Sequence, residues 1–478
     1  MMILYGILGL LAAFFLVLIA RALCFKPKAQ PQGDTASVSF DKDGAVAALQ
    51  QLVRCKTISY NDKALEDDGE FQKLEALLPA LYPHVFKACT LEKLPDRALL
   101  FRWPGKKSDS PAVLMAHYDV VPADGAKWEK EHFAGILEDG VLWGRGTLDT
   151  KVTFNGALFA ANTLIGQGFV PENDVYFAFS GGEEVSGKGA VNIVEYFIAN
   201  KIQPALVLDE GGAVVENVFP GLKKPCGLIG IAEKGMMNVR YSVRSSGGHA
   251  AAPLPKTPIT TLAKACDRVV THPFKMQLTK PVAEMFDTLA RESSFLYKLI
   301  FANLWCFKPV LDKICTGSGG DMNALVRTTT AFTQAQGSNA RNVIPTEASL
   351  VSNMRLNPAD SVASAAEYLR KTVNDPDVKI EVLESFEPSP ISETGCESWN
   401  KIAAAVAETW PGCVVSPYLM VQCSDARHYG RLSRHVYRFS AMDLTNEERK
   451  TIHGNNERIR VDCLHRSVEF FIRILKKC

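Results

Sequence analysis

Leu114-Met115-Ala116-His117-Tyr118-Asp119, then Trp143-Gly144-Arg145-Gly146-Thr147-Leu148-Asp149, then Val175-Tyr176-Phe177-Ala178-Phe179-Ser180-Gly181-Gly182-Glu183-Glu184 decide how this chain folds. Three times an apolar or glycine-bounded run empties into acids or an imidazole. That is the pattern of strands that end where loops begin, and open α/β sheets build their sites at that carboxyl edge. One histidine and several carboxylates converging there point to a metal site of hard and borderline ligands. No cysteine lies among them, which argues against a structural thiolate zinc site.

Working outward, Ala205-Leu206-Val207-Leu208 runs into Asp209, and a late histidine stands in Thr451-Ile452-His453-Gly454-Asn455. His117, Asp149, Glu184, Asp209 and His453 make five candidate ligands, more than the three that one catalytic zinc typically takes from protein. They suit two metals sharing one carboxylate, about 3.5–4 Å apart. Asp119, two residues past His117, is placed to accept the imidazole's other N–H and fix its tautomer. Glu183 and Glu184 cannot both point the same way from an extended segment. One binds metal and the other serves as general base.

The surrounding periodicities complete the fold class. Helical spacing over Asp43–Cys55, Phe71–Leu81, Val152–Ile165 and Ala190–Asn200 alternates with strands at Ala98–Trp103, Ala112–Ala116, Val175–Phe179 and Ala205–Leu208. This predicts an α/β domain with a mostly parallel, covered sheet. From Asn238 the texture changes to half-exposed strands and amphipathic helices, the order of a small α+β sandwich inserted into the first domain. A Phe-, Leu- and Trp-rich helical excursion, roughly Val282–Cys315, interrupts that insert. Its Phe295–Phe307 run reads as a packed helix, an acyl-chain pocket or a membrane-facing surface. The expected division is 1–25 transmembrane anchor or uncleaved signal, 26–40 linker, 41–235 and 388–478 the two parts of the catalytic domain, and 236–387 the inserted lid and dimerisation domain.

Met1–Ala20 carries no charged side chain, and about 20 apolar residues cover the hydrocarbon core as a helix. Ala20-Arg21-Ala22 mimics a signal-peptidase site, but no basic segment precedes the apolar run. The expectation is a single-pass membrane anchor, with its side left open. Lys26–Ser37, polar with Pro and Gly, reads as a tether. Among 478 residues the net charge is +1, which gives no reason to expect nucleic acid. The 12 cysteines show no C-x-x-C spacing and read as buried apolar residues, leaning toward a reducing compartment.

Taken together, H-Y-D, G-R-G-x-x-D, G-G-E-E, D-E-G-G, S-G-G-H-A-A-x-P and I-H-G-x-N-E resemble the dinuclear zinc peptidase family of aminoacylases and glutamate carboxypeptidase. The resemblance runs in order from about Asp43 to the C-terminus. Ser424-Asp425-Ala426-Arg427-His428-Tyr429 is similar to the branch of carboxypeptidase S and the N-fatty-acyl-amino-acid hydrolases. The resemblance implies two Zn2+ per chain, with Co2+ or Mn2+ as alternatives, bridged by Asp149. His117 and Asp209 would hold one ion, Glu184 and His453 the other, with Glu183 as general acid/base. It also implies a ferredoxin-like lid that pairs copies in dimeric relatives, whose His249 stabilises an oxyanion and whose Asn342 and Arg355 hold a substrate carboxylate. Gln422-Cys423 stands where many relatives carry a Gly pair.

The expected activity is therefore hydrolysis of an amide bond beside a residue with a free carboxylate, in a small peptide or an N-acyl amino acid. The other reading is a catalytically inactive binding or assembly protein on the same fold. No proposed ligand or base is missing from the chain.

Overall fold

The computed structural model describes residues 1–478. It opens with one continuous helix, α1 (Met2–Cys24), whose only buried residues are Leu18 and Ala22. An all-round apolar helix with its side chains outward is not a core helix of a water-soluble domain.

Eight strands build the large sheet: β1 (Thr90–Leu94), β2 (Ala98–Trp103), β3 (Lys107–His117), β4 (Asn173–Ser180), β5 (Leu206–Val215) and β6 (Cys226–Glu233) before the chain leaves it, and two more after it returns. The four strands in between, β7 (Gly235–Arg244), β8 (Thr329–Gln336), β9 (Glu347–Leu356) and β10 (Lys379–Phe386), form a separate antiparallel sheet in the order β8-β9-β7-β10. The returning strands are β11 (Val414–Met420) and β12 (Val436–Leu444), and the large sheet runs β1-β2-β4-β3-β5-β12-β6-β11. The pairs β3–β4, β3–β5, β5–β12 and β6–β11 are parallel, whereas β1–β2, β2–β4 and β12–β6 are antiparallel. The sheet is thus mixed, with its parallel strands at the centre. The helix after β3, α2 (Lys151–Gly166), is buried along most of its length between the sheet and the last helix, Val461–Leu475. This is why Val152–Ile165 reads as apolar on nearly every face.

The β7–β10 sheet packs its inner face on the helices Pro258–Thr271 and Val362–Val373 through Met237, Val239, Tyr241, Leu262 and Leu369. The helical excursion does not belong to that layer. Its helices α3 (Lys280–Glu292), α4 (Phe295–Phe301), α5 (Leu304–Ser318) and α6 (Gly320–Val326) return to the large sheet. There Met285, Phe286, Phe301, Leu311 and Leu325 share one apolar cluster with Leu228, Val414 and Leu419. A single span 236–387 is therefore not one layer in space. Sequence periodicity alone could not reveal this, because an apolar face does not name its partner.

The segment after α1 is also not a free tether. The Gln30 side chain accepts from Val415 N–H at 2.9 Å, Arg473 donates to the carbonyls of Asp34 and Ala36, and Val38 and Phe40 pack onto the core. It is a strap laid across the domain.

Candidate active site

Two histidines and four carboxylates meet at the carboxyl edge of β3, β4 and β5. His117 is the last residue of β3, buried to 2% exposure. Its Nδ1 lies 3.0 Å from the backbone carbonyl of Asp119, which can only accept, so Nδ1 carries the proton. That leaves the Nε2 lone pair facing Asp149 Oδ1 at 3.0 Å and Glu210 Oε1 at 3.4 Å. His453 Nε2 lies 3.0 Å from both Asp149 Oδ2 and Glu184 Oε2. Asp149 thus presents one oxygen to each histidine, which is the geometry of a bridging carboxylate.

Asp119 organises the turn behind this cluster. Its two oxygens accept from Glu183 N–H at 3.1 Å, Glu184 N–H at 3.2 Å and Ser59 Oγ at 2.5 Å. The adjacent acids are thereby held in a short 3-10 turn, Glu183–Val185, which splits their directions. Glu184 turns to His453, whereas Glu183 joins His117 and Glu210 in a group whose ligand atoms all lie within 4.8 Å of one another.

Asp209 stands slightly apart from the cluster. Its carboxylate accepts from Ala426 N–H at 2.8 Å and from Glu210 N–H at 2.9 Å, and it makes no approach to either histidine. Glu210 takes the place beside His117. The cause is a bulge: β12 pairs Arg438 with Asp209 but Phe439 with Gly212, so Glu210 and Gly211 are extra residues that swing outward. Gly211 sits at φ 142°, and a Cβ there would lie 2.6 Å from both Arg438 Cβ and Met420 Sδ. The sequence reading stopped the strand at Leu208, whereas it continues to Val215 and re-aims at the bulge.

Glu457 and Arg145 were missed as supports. Glu457 is fully buried and accepts from the N–H groups of Gly146, Leu148 and Asp149, while Arg145 donates to it at 2.6 Å. The last acid of I-H-G-x-N-E therefore fastens the G-R-G-x-x-D loop and aims Asp149. Opposite charges standing in two separate motifs were the available signal.

Electrostatics separates the roles. Burial raises the Asp149 carboxyl, but the neighbouring imidazoles of His117 and His453 outweigh this and hold it well below the carboxylate range. Burial, then the neighbouring charges of Asp425, Glu210 and Glu184, pushes Glu183 well above its ordinary value. Burial likewise lifts Glu210 to about 8. Glu184 Oε1 is buried without a hydrogen-bond partner. Crowded, half-satisfied carboxylates with imidazole nitrogens between them fit divalent cations. Two groups have the spacing to hold an ion, His117 with Asp149 and Glu184, and His117 with Glu183 and Glu210, and His453 lies 3.0 Å from Asp149 and Glu184.

The lid residues are placed differently. His249 lies on an exposed two-residue bridge, Gly248–His249 against Val343–Ile344, with its Nδ1 accepting from Ala251 N–H at 3.0 Å. Asn342 is its neighbour, accepting from Ala250 N–H at 2.9 Å through its carbonyl, and neither residue touches the carboxylate cluster. Arg355 reaches further, donating from Nη1 to Cys423 Sγ at 3.1 Å at the rim of the site.

A cavity of about 900 Å3 opens from the cluster. Its lining holds Asp149, Glu183, Glu184, Glu210 and His453, the hydrophobic side chains of Val215, Leu228, Met285, Met322, Leu325 and Met442, and the charged Asp321, Glu447, Arg449 and Lys450. Such a space has room for a small ligand beside the carboxylates.

Comparison with known proteins agrees with this architecture. Residues 113–477 match the model of peptidase family M20/M25/M40, and the chain belongs to that family. It is a metal-dependent hydrolase of the metallopeptidase class. It is 34% identical to a probable carboxypeptidase S-like 2 of Dictyostelium discoideum, over 98% of this chain and 92% of that protein. It is also 34% identical to the N-fatty-acyl-amino acid synthase/hydrolase PM20D1 of Xenopus tropicalis, over 90% of this chain and 85% of that one. Among solved structures, the M20 family metallo-carboxypeptidase Sso-CP2 from Sulfolobus solfataricus shares the fold with a TM-score of 0.67 at 17% identity, covering 90% of this chain and 98% of that one.

Proposed function

We propose that the protein hydrolyses N-acyl amino acids with long apolar acyl groups, releasing a fatty acid and an amino acid. The observation that carries this reading is that hydrophobic side chains make up half the lining of the cavity that holds the carboxylate cluster. The N-fatty-acyl-amino acid synthase/hydrolase relatives support it.

Two zinc ions would be held by His117, Asp149, Glu184, Glu210 and His453, with Asp149 shared. Bound there, the pair supplies Lewis acidity, lowering the pKa of water and polarising a carbonyl. The chain's own residues do the rest. Glu183, lifted by burial and beside the cluster, takes the proton of the attacking water and returns it to the leaving amine nitrogen. The amide C–N bond breaks, and water contributes its hydroxyl to the acid and its proton to the amine. Arg355, at the rim, pairs with the free carboxylate of the amino acid, and the apolar wall holds the acyl chain and excludes water. The exposed lid edge bearing His249 and Asn342 is the surface we assign to a second copy, across which His249 would reach a partner's oxyanion.

We further infer that α1 is kept as a membrane anchor. Leu18 and Ala22 are packed to 3% and 2% exposure, and Asn303 Nδ2 donates to the Leu18 carbonyl at 3.0 Å. A cleaved leader has no need of a fitted seat on the folded domain.

The test is the Glu183→Gln variant, with metal content and turnover measured together on N-oleoyl, N-acetyl and dipeptide substrates. The expected result is about two zinc per chain in both proteins, release from the oleoyl substrate by the wild type, and no turnover by the variant. Preference for dipeptides would replace the acyl-chain reading. Near-normal turnover by Glu183→Gln would remove Glu183 from the mechanism.

A further inference from the structure

The contact between α1 and the α4–α5 hairpin fixes how deep the hairpin must sit. Arg21 donates to the Ala302 carbonyl from Nε at 3.1 Å and Nη2 at 3.0 Å, and Asn303 closes the same corner onto Leu18. Higher up, Phe14 meets Trp305 edge to face at 5.9 Å between ring centroids. The end of α1 is latched as well, because Arg291 stacks on Phe25 at 4.1 Å and donates to the Lys26 carbonyl.

Helix geometry then sets the depth. At about 1.5 Å per residue, Met2–Phe14 accounts for only about 20 Å of height, short of the roughly 30 Å that a hydrocarbon core requires. If α1 crosses a bilayer, its last turns are inside it too, and they lie against Ala302, Asn303 and Trp305. The hairpin is carried below the lipid surface with them.

The hairpin's outer face suits that environment. Phe295, Leu296, Trp305, Val310 and Ile314 each have half or more of their surface exposed. Lys308 and Lys313 are exposed on the same pair of helices and make no ion pair, while their one acid, Asp312, is engaged by Arg327. Large apolar groups with long basic side chains among them are the composition of helices that lie in the interface of an anionic membrane.

We propose that α4–α5 is a second membrane element, embedded in the leaflet that α1 enters, and that its partner is the phospholipid bilayer. This rests on the reading of α1 as a retained anchor, and the two are separable by experiment. The full-length chain is reconstituted into vesicles of phosphatidylcholine and phosphatidylserine with bromine at a shallow acyl position, and tryptophan quenching is compared between wild type and Trp305→Phe. Flotation of the same vesicles reports anchoring.

The expected result is that both proteins float and that the emission lost in Trp305→Phe is the part the brominated lipid quenches, at least halved in the wild type. If both float but the Trp305 emission is not quenched, the anchor stands and the embedded hairpin is refuted. If neither floats, both readings fall.

Discussion

Replacing Asp119 with Asn tests how much of the site depends on one carboxylate that touches no substrate. Asp119 is fully buried, and its oxygens serve three donors: Glu183 N–H, Glu184 N–H and Ser59 Oγ. An amide keeps one acceptor oxygen and turns an NH2 group toward the other donors. Ser59 can reverse its hydroxyl to accept from that NH2, but a backbone N–H cannot. Whichever way the amide turns, one of the two glutamate N–H groups loses its acceptor, at a cost of about 1–3 kcal/mol. The bonds that remain lose their charge and about half their strength. The sum is a destabilisation of roughly 2–4 kcal/mol, with metal affinity down about 10–100-fold because the turn that aims Glu183 and Glu184 is no longer held. Urea unfolding of the metal-free full-length chain in detergent measures the first quantity, and zinc competition against a chelator measures the second. Ser59→Ala is the control; it removes one donor, leaves the charge, and should cost about 1 kcal/mol. Wild-type unfolding and zinc binding in Asp119→Asn would refute the reasoning.

Three further outcomes follow from the same geometry. Glu210→Gln should lose about one of the two metals and nearly all activity, whereas Asp209→Asn should keep both metals and lose stability; metal analysis of the pair separates them, and the reverse pattern would reject the bulge assignment. Leu325→Trp, in the apolar wall of the cavity, should lower kcat/KM for an N-oleoyl substrate by at least about tenfold while sparing N-acetyl substrates, and equal losses on both would mean the acyl chain lies elsewhere. His428, pushed down from 6.5 to about 4 by burial and by Arg427 and Arg431, is neutral in the fold at pH values where the unfolded chain takes up a proton. Stability should therefore fall as pH drops from about 6.5 to about 4, and His428→Phe should flatten that part of a thermal-unfolding pH profile.

Much of this was legible in the residues because strand ends and metal ligands are local events. His117, Asp149, Glu184 and His453 stand where apolar runs stop, and the structure brings them within hydrogen-bond distance of one another. The approach of Glu210 to His117 was not legible, because a bulge is set by the partner strand, and β12 lies more than two hundred residues away. The antiparallel flank of the sheet was illegible for a related reason, since β2 and β3 follow each other in sequence but β4 lies between them. The seat of the excursion on the large sheet, and of Glu457 under the Asp149 loop, depended on long-range contacts that periodicity does not encode.

The strap from Gln30 to Phe40 changes how substrate concentration should be counted. Bound along the domain by Val415 and Arg473, it leaves no slack between α1 and the catalytic sheet. With α1 kept as the proposed anchor, the reaction centre would hold a fixed height over the bilayer and meet substrates dissolved in it. For a lipid-soluble substrate the governing quantity becomes its mole fraction in the membrane. Adding inert phospholipid at constant total substrate should slow the enzyme by surface dilution, even though the bulk molarity has not changed.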